Sequence, residues 1–314
     1  MTVQAFSERR DPKAAGPTPS SSARAYPREI SLWLFVVPSA LVVLGIQLYP
    51  VLYAVYLSFF DYHIGQSQPR FVGADNYLAL LGQDRVWASL RTTVILVACS
   101  LAVEFALGLL LALGLYKLTR GARIFSTLIF VPYLITPVVA ALFLRWIFAA
   151  RWGLADAVIA SFDIFPPDWL GSPVWAFVTI IVADVWQFTP FVMLILYAGL
   201  QGMDEALLEA GKIDGASGPR LVWHIILPCL RPQILFVLAI RLMDSFRTFD
   251  SIYVLTGGGP GTATETLTMY TYALAFKQLD LGRASTLGVL TMLIVTGLTL
   301  MIISLMYRRE RGAF

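Results

Sequence analysis

The segment EALLEAGKIDGASGPRLVWHIILP, residues 205–228, carries most of the dense charge in the second half of a chain otherwise built of apolar runs. Met203 to Ile213 reads as a short amphipathic helix in which Met203, Leu207 and Ala210 share a stripe. Asp204 and Glu205 fall in its first turn, where negative charge suits the helix dipole, and Glu209 precedes Lys212 at i, i+3 spacing. Asp214-Gly215 ends it. A second helical piece carries Leu221, Val222, Ile225 and Ile226, stops at Pro228 and leads on to Pro232. Two short helices about a glycine make an elbow with an apolar stripe. Such a stripe fits a groove on another protein or, on composition alone, a lipid surface. The acidic first turn argues against anionic headgroups.

Around this segment the composition dictates a bilayer. Of 314 residues, 58% are apolar and 14% charged, too few charges to cover a soluble globule of this size. A hydrocarbon core of roughly 30 Å takes about 20 apolar residues as helix. Six such runs are present: within Ile30–Phe60 (with Pro38 and Pro50 as kinks), Thr92–Tyr116, Ile124–Phe148, Val174–Gln201, about Arg231–Leu255, and Ala284–Tyr307. The expected fold is all-α, a polytopic membrane protein with six transmembrane helices. Residues 1–29, rich in Pro, Ser and Arg, read as a disordered cytoplasmic tail before a transmembrane domain over 30–314. The first apolar run is too long for a signal-peptide core.

Loop charge sets the orientation. The two termini, the loop after the second run and the loop from Glu205 through Arg231 hold fourteen Lys and Arg, against six in the opposite loops. The positive-inside rule therefore places both termini and the elbow in the cytoplasm. The loop from Ala149 to Pro173, with Trp152, Pro166, Pro167 and Trp169, suits a segment at the outer interface carrying a short surface helix. Cys99 and Cys229 lie far apart in apolar surroundings and read as small buried side chains. With His63 and His224 as the only histidines, no metal site is expected.

Three ionisable residues fall at membrane depth, about ten residues from a span end: Glu104, Asp184 and Arg241. A charge there costs roughly 3 kcal/mol, so each must face protein or a water-filled cavity. One reading is an ion pair that fixes packing, Arg241 with Asp184 or Glu104, or with Asp244 at i, i+3. The other is a solute pathway. Asp184, Phe188 and Phe191 share one helix face, as do Arg241, Ser245 and Thr248. A carboxylate, a guanidinium, hydroxyls and aromatic rings together suit a polyhydroxylated solute; packing alone also accounts for the phenylalanines. Arg145, near the end of its run, suits snorkelling to the interface.

Other chemistry finds no support. Gly257-Gly258-Gly259-Pro260-Gly261 lacks the Lys-Ser or Lys-Thr of a phosphate loop, and Pro260 removes an amide donor. No nucleophilic triad or paired-carboxylate constellation stands out, so the chain is not expected to be an enzyme.

Glu209-Ala210-Gly211, three residues, Gly215, nine residues, then Ile225-Ile226-Leu227-Pro228 resembles the E-A-A, G, I-x-L-P signature of binding-protein-dependent ABC importer permeases. The run from Phe249 through Gly257-Gly258-Gly259-Pro260, followed by Thr264-Glu265-Thr266, is similar to the carbohydrate branch, which includes maltose and glycerol-3-phosphate permease subunits. The resemblance covers roughly residues 30–310; Gly211 departs from it, standing where the signature usually has Ala.

It implies a type I ABC importer permease fold in the cell inner membrane, with a cytoplasmic coupling helix at about 203–214. Glu205, Leu208, Glu209, Ala210, Asp214 and Gly215 would couple to an ATPase, and Asp184, Phe188, Phe191, Arg241, Ser245 and Thr248 would contact solute. The implied partners are a second permease subunit, an ATPase dimer, an extracytoplasmic solute-binding protein, the lipid bilayer and a small-molecule carbohydrate, with no nucleic acid. No cofactor is implied in this chain; ATP and Mg would belong to the ATPase. The implied activity is alternating-access import of a sugar or related polyol. A phosphate ester on Arg241 stays open. So does an ion-gradient-driven transporter or channel running through Glu104 and Asp184.

Overall fold

Four of the six apolar runs form single long helices and two do not. The computed structural model describes residues 28–118 and 120–310. The chain divides into a unit through Val51 and a larger unit from Leu52 onward. The first unit is the bulk of α1 (Arg28–Leu57), which contains Pro38 and Pro50. Arg28 and Glu29 already belong to this helix; the rest of the expected tail lies outside the described residues.

Within the larger unit, α1 ends in an antiparallel ribbon, β1 (Phe60–Asp61) with β2 (Arg70–Phe71), pairing Phe60 with Phe71 and Asp61 with Arg70. A short α2 (Asp75–Leu81) leads into α3 (Asp84–Lys117). Then follow α4 (Ala122–Leu134), α5 (Pro137–Ile147), the surface helix α6 (Leu154–Ala160) and α7 (Pro173–Gln201). The elbow comprises α8 (Glu205–Ile213) and α9 (Gly218–Cys229), the latter with a π-helical turn over Val222–Ile226. The chain closes with α10 (Arg231–Phe246), α11 (Asp250–Leu255), α12 (Leu267–Tyr272), a π-helical turn over Ala273–Lys277, and α13 (Leu281–Glu310).

The expected third span is broken: α4 and α5 meet at 93°. Ile135 (ψ 134°) and Thr136 (ψ 140°) are extended, as befits residues just ahead of Pro137, whose ring disfavours helix at the preceding position. The expected fifth span is also interrupted. Its helix α10 stops at Phe246, α11 restarts at Asp250, and α9 joins α10 at a 71° bend about Leu230. Six crossings result if each bent pair, α4 with α5 and α9 with α10, counts as one.

α3 and α7 are the structural spine. Their axes approach because position 108 is glycine: a Cβ there would stand 2.8 Å from Val192 Cγ1 and 3.1 Å from the Met193 amide nitrogen. Close packing over small residues is how helices associate in lipid, where no hydrophobic drive separates them from the solvent. At one end Leu115, Leu196 and Leu200 enclose Leu208 of the elbow together with Ile226 and Leu230. Toward the other end Leu96 and Ile180 pack with Leu144 of α5, Ile252 of α11 and Met269 of α12.

That far end is clasped. Arg85 Nε and Nη2 each donate to Glu265 at 2.8 Å, and the guanidinium lies 4.6 Å from the Tyr270 ring centroid. Tyr270 donates to Gln83 Oε1 at 2.8 Å; burial holds its phenol above the ordinary value, so it stays a protonated donor. The outer loop folds about buried Asp156, which accepts from the Arg151 amide (2.6 Å) and from Trp169 Nε1 (2.7 Å).

Three local expectations need correction. Trp169 is buried against Phe148 and Trp175 instead of lying at an interface, whereas Trp152 is exposed. Cys99 and Cys229 are both exposed, on outward faces of their helices, so their apolar neighbours in sequence are not a buried environment. Arg145 does not simply snorkel: its Nη1 donates to the Val254 carbonyl at 2.9 Å and ties α5 to α11.

Candidate solute pocket and coupling elbow

The three charges at membrane depth meet. Arg241 Nε donates to Glu104 Oε2 at 2.8 Å, and Nη2 donates to Glu104 Oε1 at 2.6 Å and to Asp184 Oδ2 at 3.1 Å. All three are buried, at 1%, 0% and 3% exposure. One guanidinium therefore joins α3, α7 and α10. Phe188, one turn beyond Asp184, lays its ring 3.9 Å from the Arg241 guanidinium carbon, a cation–π contact. The ion-pair reading thus accounts for both Arg241 and Asp184, with Glu104 as the bidentate partner.

The remaining expected solute contacts separate. Phe191 stacks on Tyr133 of α4, centroids 5.3 Å apart and planes at 15°, so it packs the helix interface. Ser245 is buried at 3% exposure, and its hydroxyl has no partner among the described residues. Phe188 and Thr248 do reach open space. They line a cavity of about 340 Å³ with Pro137, Asp244, Arg247, Phe249, Asp250 and Ser251, a size within the usual range for small-molecule sites. This cavity opens where α10 stops and α11 has yet to start. The expected run of α10 on to Leu255 is therefore interrupted at residues 247–249, and these three, Arg247, Thr248 and Phe249, belong to the wall.

An adjoining cavity of about 480 Å³ shares Arg247 and Phe249 and is walled by Thr268, Thr271, Tyr272 and Phe276 of the α12 segment and by Thr291 and Thr296 of α13. Aromatic rings run along it: Phe249 stacks with Tyr253 (5.2 Å, 22°), lies 5.0 Å from Tyr272, and Tyr272 contacts Phe276 at 5.1 Å. Asp244, Asp250, Ser251 and the rings of Phe249, Tyr253, Tyr272 and Phe276 were not assigned to solute from the sequence. The i, i+4 pairs Phe249–Tyr253 and Tyr272–Phe276 were the available signal, but only the fold brings the two pairs together.

At the opposite end the elbow forms as the segment's punctuation requires. Asp204 caps α8 by accepting from the Ala206 amide at 2.9 Å. Gly215 takes φ +79°, a left-handed conformation that L side chains rarely adopt, and the Ala216 amide returns to the Gly211 carbonyl at 2.9 Å. The expected stripe keeps Leu207 and Ala210 on the exposed face, whereas Leu208, expected to couple to an ATPase, turns inward. Leu208 (6% exposed) and Gly211 are the buried face. Leu208 therefore fixes α8 to the helix bundle and is not free to meet a partner.

A Cβ on Gly211 would strike Ile225 Cδ1 and stand 3.0 Å from Leu221 Cδ1, so the off-pattern glycine lets α9 lie close against α8. The outward face carries Leu207 (45% exposed) and Ile213 (86% exposed), with Ala210 between them at i, i+3 spacing. Glu205, Glu209, Asp214 and Gly215 are exposed beside it. Leu207 and Ala210 thus stay on the presented surface and Ile213 extends it, while Leu208 is lost from it. Helical periodicity places Leu207 on this stripe; the resemblance names Leu208.

The chain is similar to known proteins over most of its length. The family described as binding-protein-dependent transport system inner membrane component matches residues 104–310. The chain is 34% identical over 288 residues to the trehalose/maltose transport system permease protein of Thermococcus litoralis, covering 90% of this chain and 96% of that one. It is 34% identical to the trehalose transport system permease protein of Mycobacterium tuberculosis, covering 82% of each. Against the sn-glycerol-3-phosphate transport system permease protein of Agrobacterium fabrum it is 32% identical, covering 87% and 94%. The same fold occurs in the crystal structure of a bacterial alginate ABC transporter in complex with an alginate pentasaccharide-bound periplasmic protein, at TM-score 0.77 and 21% identity, covering 90% of this chain and 95% of that one.

Proposed function

Because the chain belongs to the binding-protein-dependent transport system inner-membrane component family, we propose that it carries a neutral sugar or related polyol through the recess between α10 and α11. It is a multi-pass permease subunit of an ABC importer. The observation that carries the substrate class is the cavity wall, where carboxylates (Asp244, Asp250), hydroxyls (Thr248, Ser251) and ring faces (Phe188, Phe249) surround about 340 Å³. Carboxylates and hydroxyls take sugar OH groups by hydrogen bonds, while rings cover the apolar face of a pyranose. Relatives named for trehalose and maltose support the same class of solute.

The coupling reading rests on α8. Its Leu207–Ala210–Ile213 stripe, flanked by Glu205 and Glu209, suits a cleft of a cytoplasmic ATPase subunit, and Leu208 with Gly211 joins that surface to the bundle. The complete assembly would hold this chain, a second permease subunit, two ATPase copies binding ATP and Mg, and an extracytoplasmic solute-binding protein, with both termini cytoplasmic. ATP-driven closure of the ATPase pair would rock α8, and α7 and α10 would carry the motion to the recess. An ion-gradient transporter loses its main support, since Glu104 and Asp184 are both bonded to Arg241. Uptake of labelled maltose or trehalose into proteoliposomes holding the full complex tests the reading. Phe188→Ala and Thr248→Ala should raise the half-saturating concentration about tenfold or more with ATPase assembly intact; unchanged uptake would move the solute site elsewhere.

A further inference from the structure

We infer that Glu104 and Asp184 make the solute pocket select against anions, a role that rests on reading the α10–α11 recess as the solute site. A guanidinium on a pathway helix ordinarily invites a phosphate or carboxylate. Here it is withdrawn. Arg241 is 1% exposed, two of its nitrogens are bonded to Glu104 and one of these also to Asp184, and it contributes nothing to the cavity wall. Phe188 stands between the two, its ring lining the space and lying 3.9 Å from the guanidinium carbon.

Charge counted in both layers points the same way. The buried layer holds two carboxylates against one guanidinium; even with a proton shared between Glu104 and Asp184 it presents no net positive charge. The wall layer is net negative, with two carboxylates, Asp244 and Asp250, against Arg247. At an effective dielectric near 20, one uncompensated charge about 10 Å away shifts the local population of an ion by roughly tenfold. A neutral polyol is indifferent to this field and gains hydrogen bonds from the same carboxylates. Glu104 and Asp184 are thus specificity-determining residues that act through Arg241 without touching solute.

A charged-reagent assay reads this field whatever the natural solute is. In the full complex, Cys99 and Cys229, both exposed, are first replaced by Ala, and Thr248→Cys supplies one thiol on the cavity wall. Its reaction rates with the cationic trimethylammonioethyl and the anionic sulfonatoethyl methanethiosulfonate are each divided by the rate for 2-mercaptoethanol. The cation should be preferred about tenfold. Asp184→Asn, which leaves the Arg241–Glu104 pair in place, and Asp244→Asn, which leaves the whole buried group in place, should each reduce that preference severalfold. If Thr248→Cys fails to assemble, Ser251→Cys on the same wall replaces it.

Equal normalised rates, a preference for the anion, or a preference unmoved by Asp184→Asn overturns the proposal. Protection by solute separates it from the underlying reading. Slowed labelling in saturating maltose or trehalose supports both. A cation preference with labelling indifferent to either sugar shows that the field exists but the recess is not the solute site, which overturns the selectivity role as stated.

Discussion

Glu104 and Arg241 stand 137 residues apart in sequence and 2.6 Å apart at their nearest oxygen and nitrogen. With Asp184 they join α3, α7 and α10 in one buried group. Breaking such a group leaves an uncompensated charge and typically costs 3–5 kcal/mol, whereas replacing it whole by apolar side chains of similar volume is often neutral. Glu104→Ala should therefore lower the unfolding temperature of the detergent-solubilised complex sharply. The triple variant Glu104→Leu, Asp184→Leu, Arg241→Met should recover most of it. A triple variant less stable than Glu104→Ala would mean the charges themselves supply net stability.

The two faces of α8 separate two neighbouring leucines, Leu207 exposed and Leu208 buried. Leu207→Asp and Ile213→Asp alter exposed positions and should leave the membrane subunit folded while ATPase copurification falls at least tenfold. Leu208→Asp puts a carboxylate among Leu200, Ile226 and Leu230 and should abolish accumulation of folded permease. Copurification and yield, measured together, discriminate the two effects.

Gly211→Ala is predicted to be mild. The added methyl displaces Ile225 Cδ1 and Leu221 Cδ1, the free ends of flexible side chains, so the penalty should stay near 1 kcal/mol. Ile225→Val should relieve it. Gly211→Leu cannot be accommodated the same way and should pry α8 from α9, seen as lost ATP-driven uptake in a complex of normal abundance.

At the far end, Glu265 accepts two hydrogen bonds from Arg85, whose side chain is 43% exposed. Solvent screening limits such a pair, so Glu265→Gln should destabilise by only about 1 kcal/mol. The difference from wild type should shrink between low and high salt. A melting series across ionic strength checks this.

The long helices were legible because α3, α7 and α13 are continuous apolar runs closed by charge or glycine. The elbow was legible because Asp204, Gly215 and Pro228 punctuate it in the right order. What escaped is tertiary. The run Ile124–Phe148 reads as one span, but α5 packs on α11 at 93° to α4 instead of continuing it. Residues 247–249 carry no helix breaker, yet they interrupt the fifth span and create the recess. Asp184 and Arg241 were found as charges at membrane depth. That Arg241 bonds Glu104 instead of facing the recess depends on α3 and α10 meeting, which no local pattern encodes.

Energy coupling through α8 is the central claim, and ATP-dependent uptake by Glu209→Ala and Gly215→Val complexes tests it most directly. Glu209 is exposed on the docking face, and Gly215 holds φ +79° where a β-branched residue is strained. Labelled maltose or trehalose uptake into proteoliposomes, with and without enclosed ATP and with an imposed proton gradient, is compared with wild type at equal complex content. The account predicts ATP-dependent uptake in wild type and its loss in both variants, with no transport on the gradient alone. Uptake that persists in both variants and follows the proton gradient without ATP would contradict it.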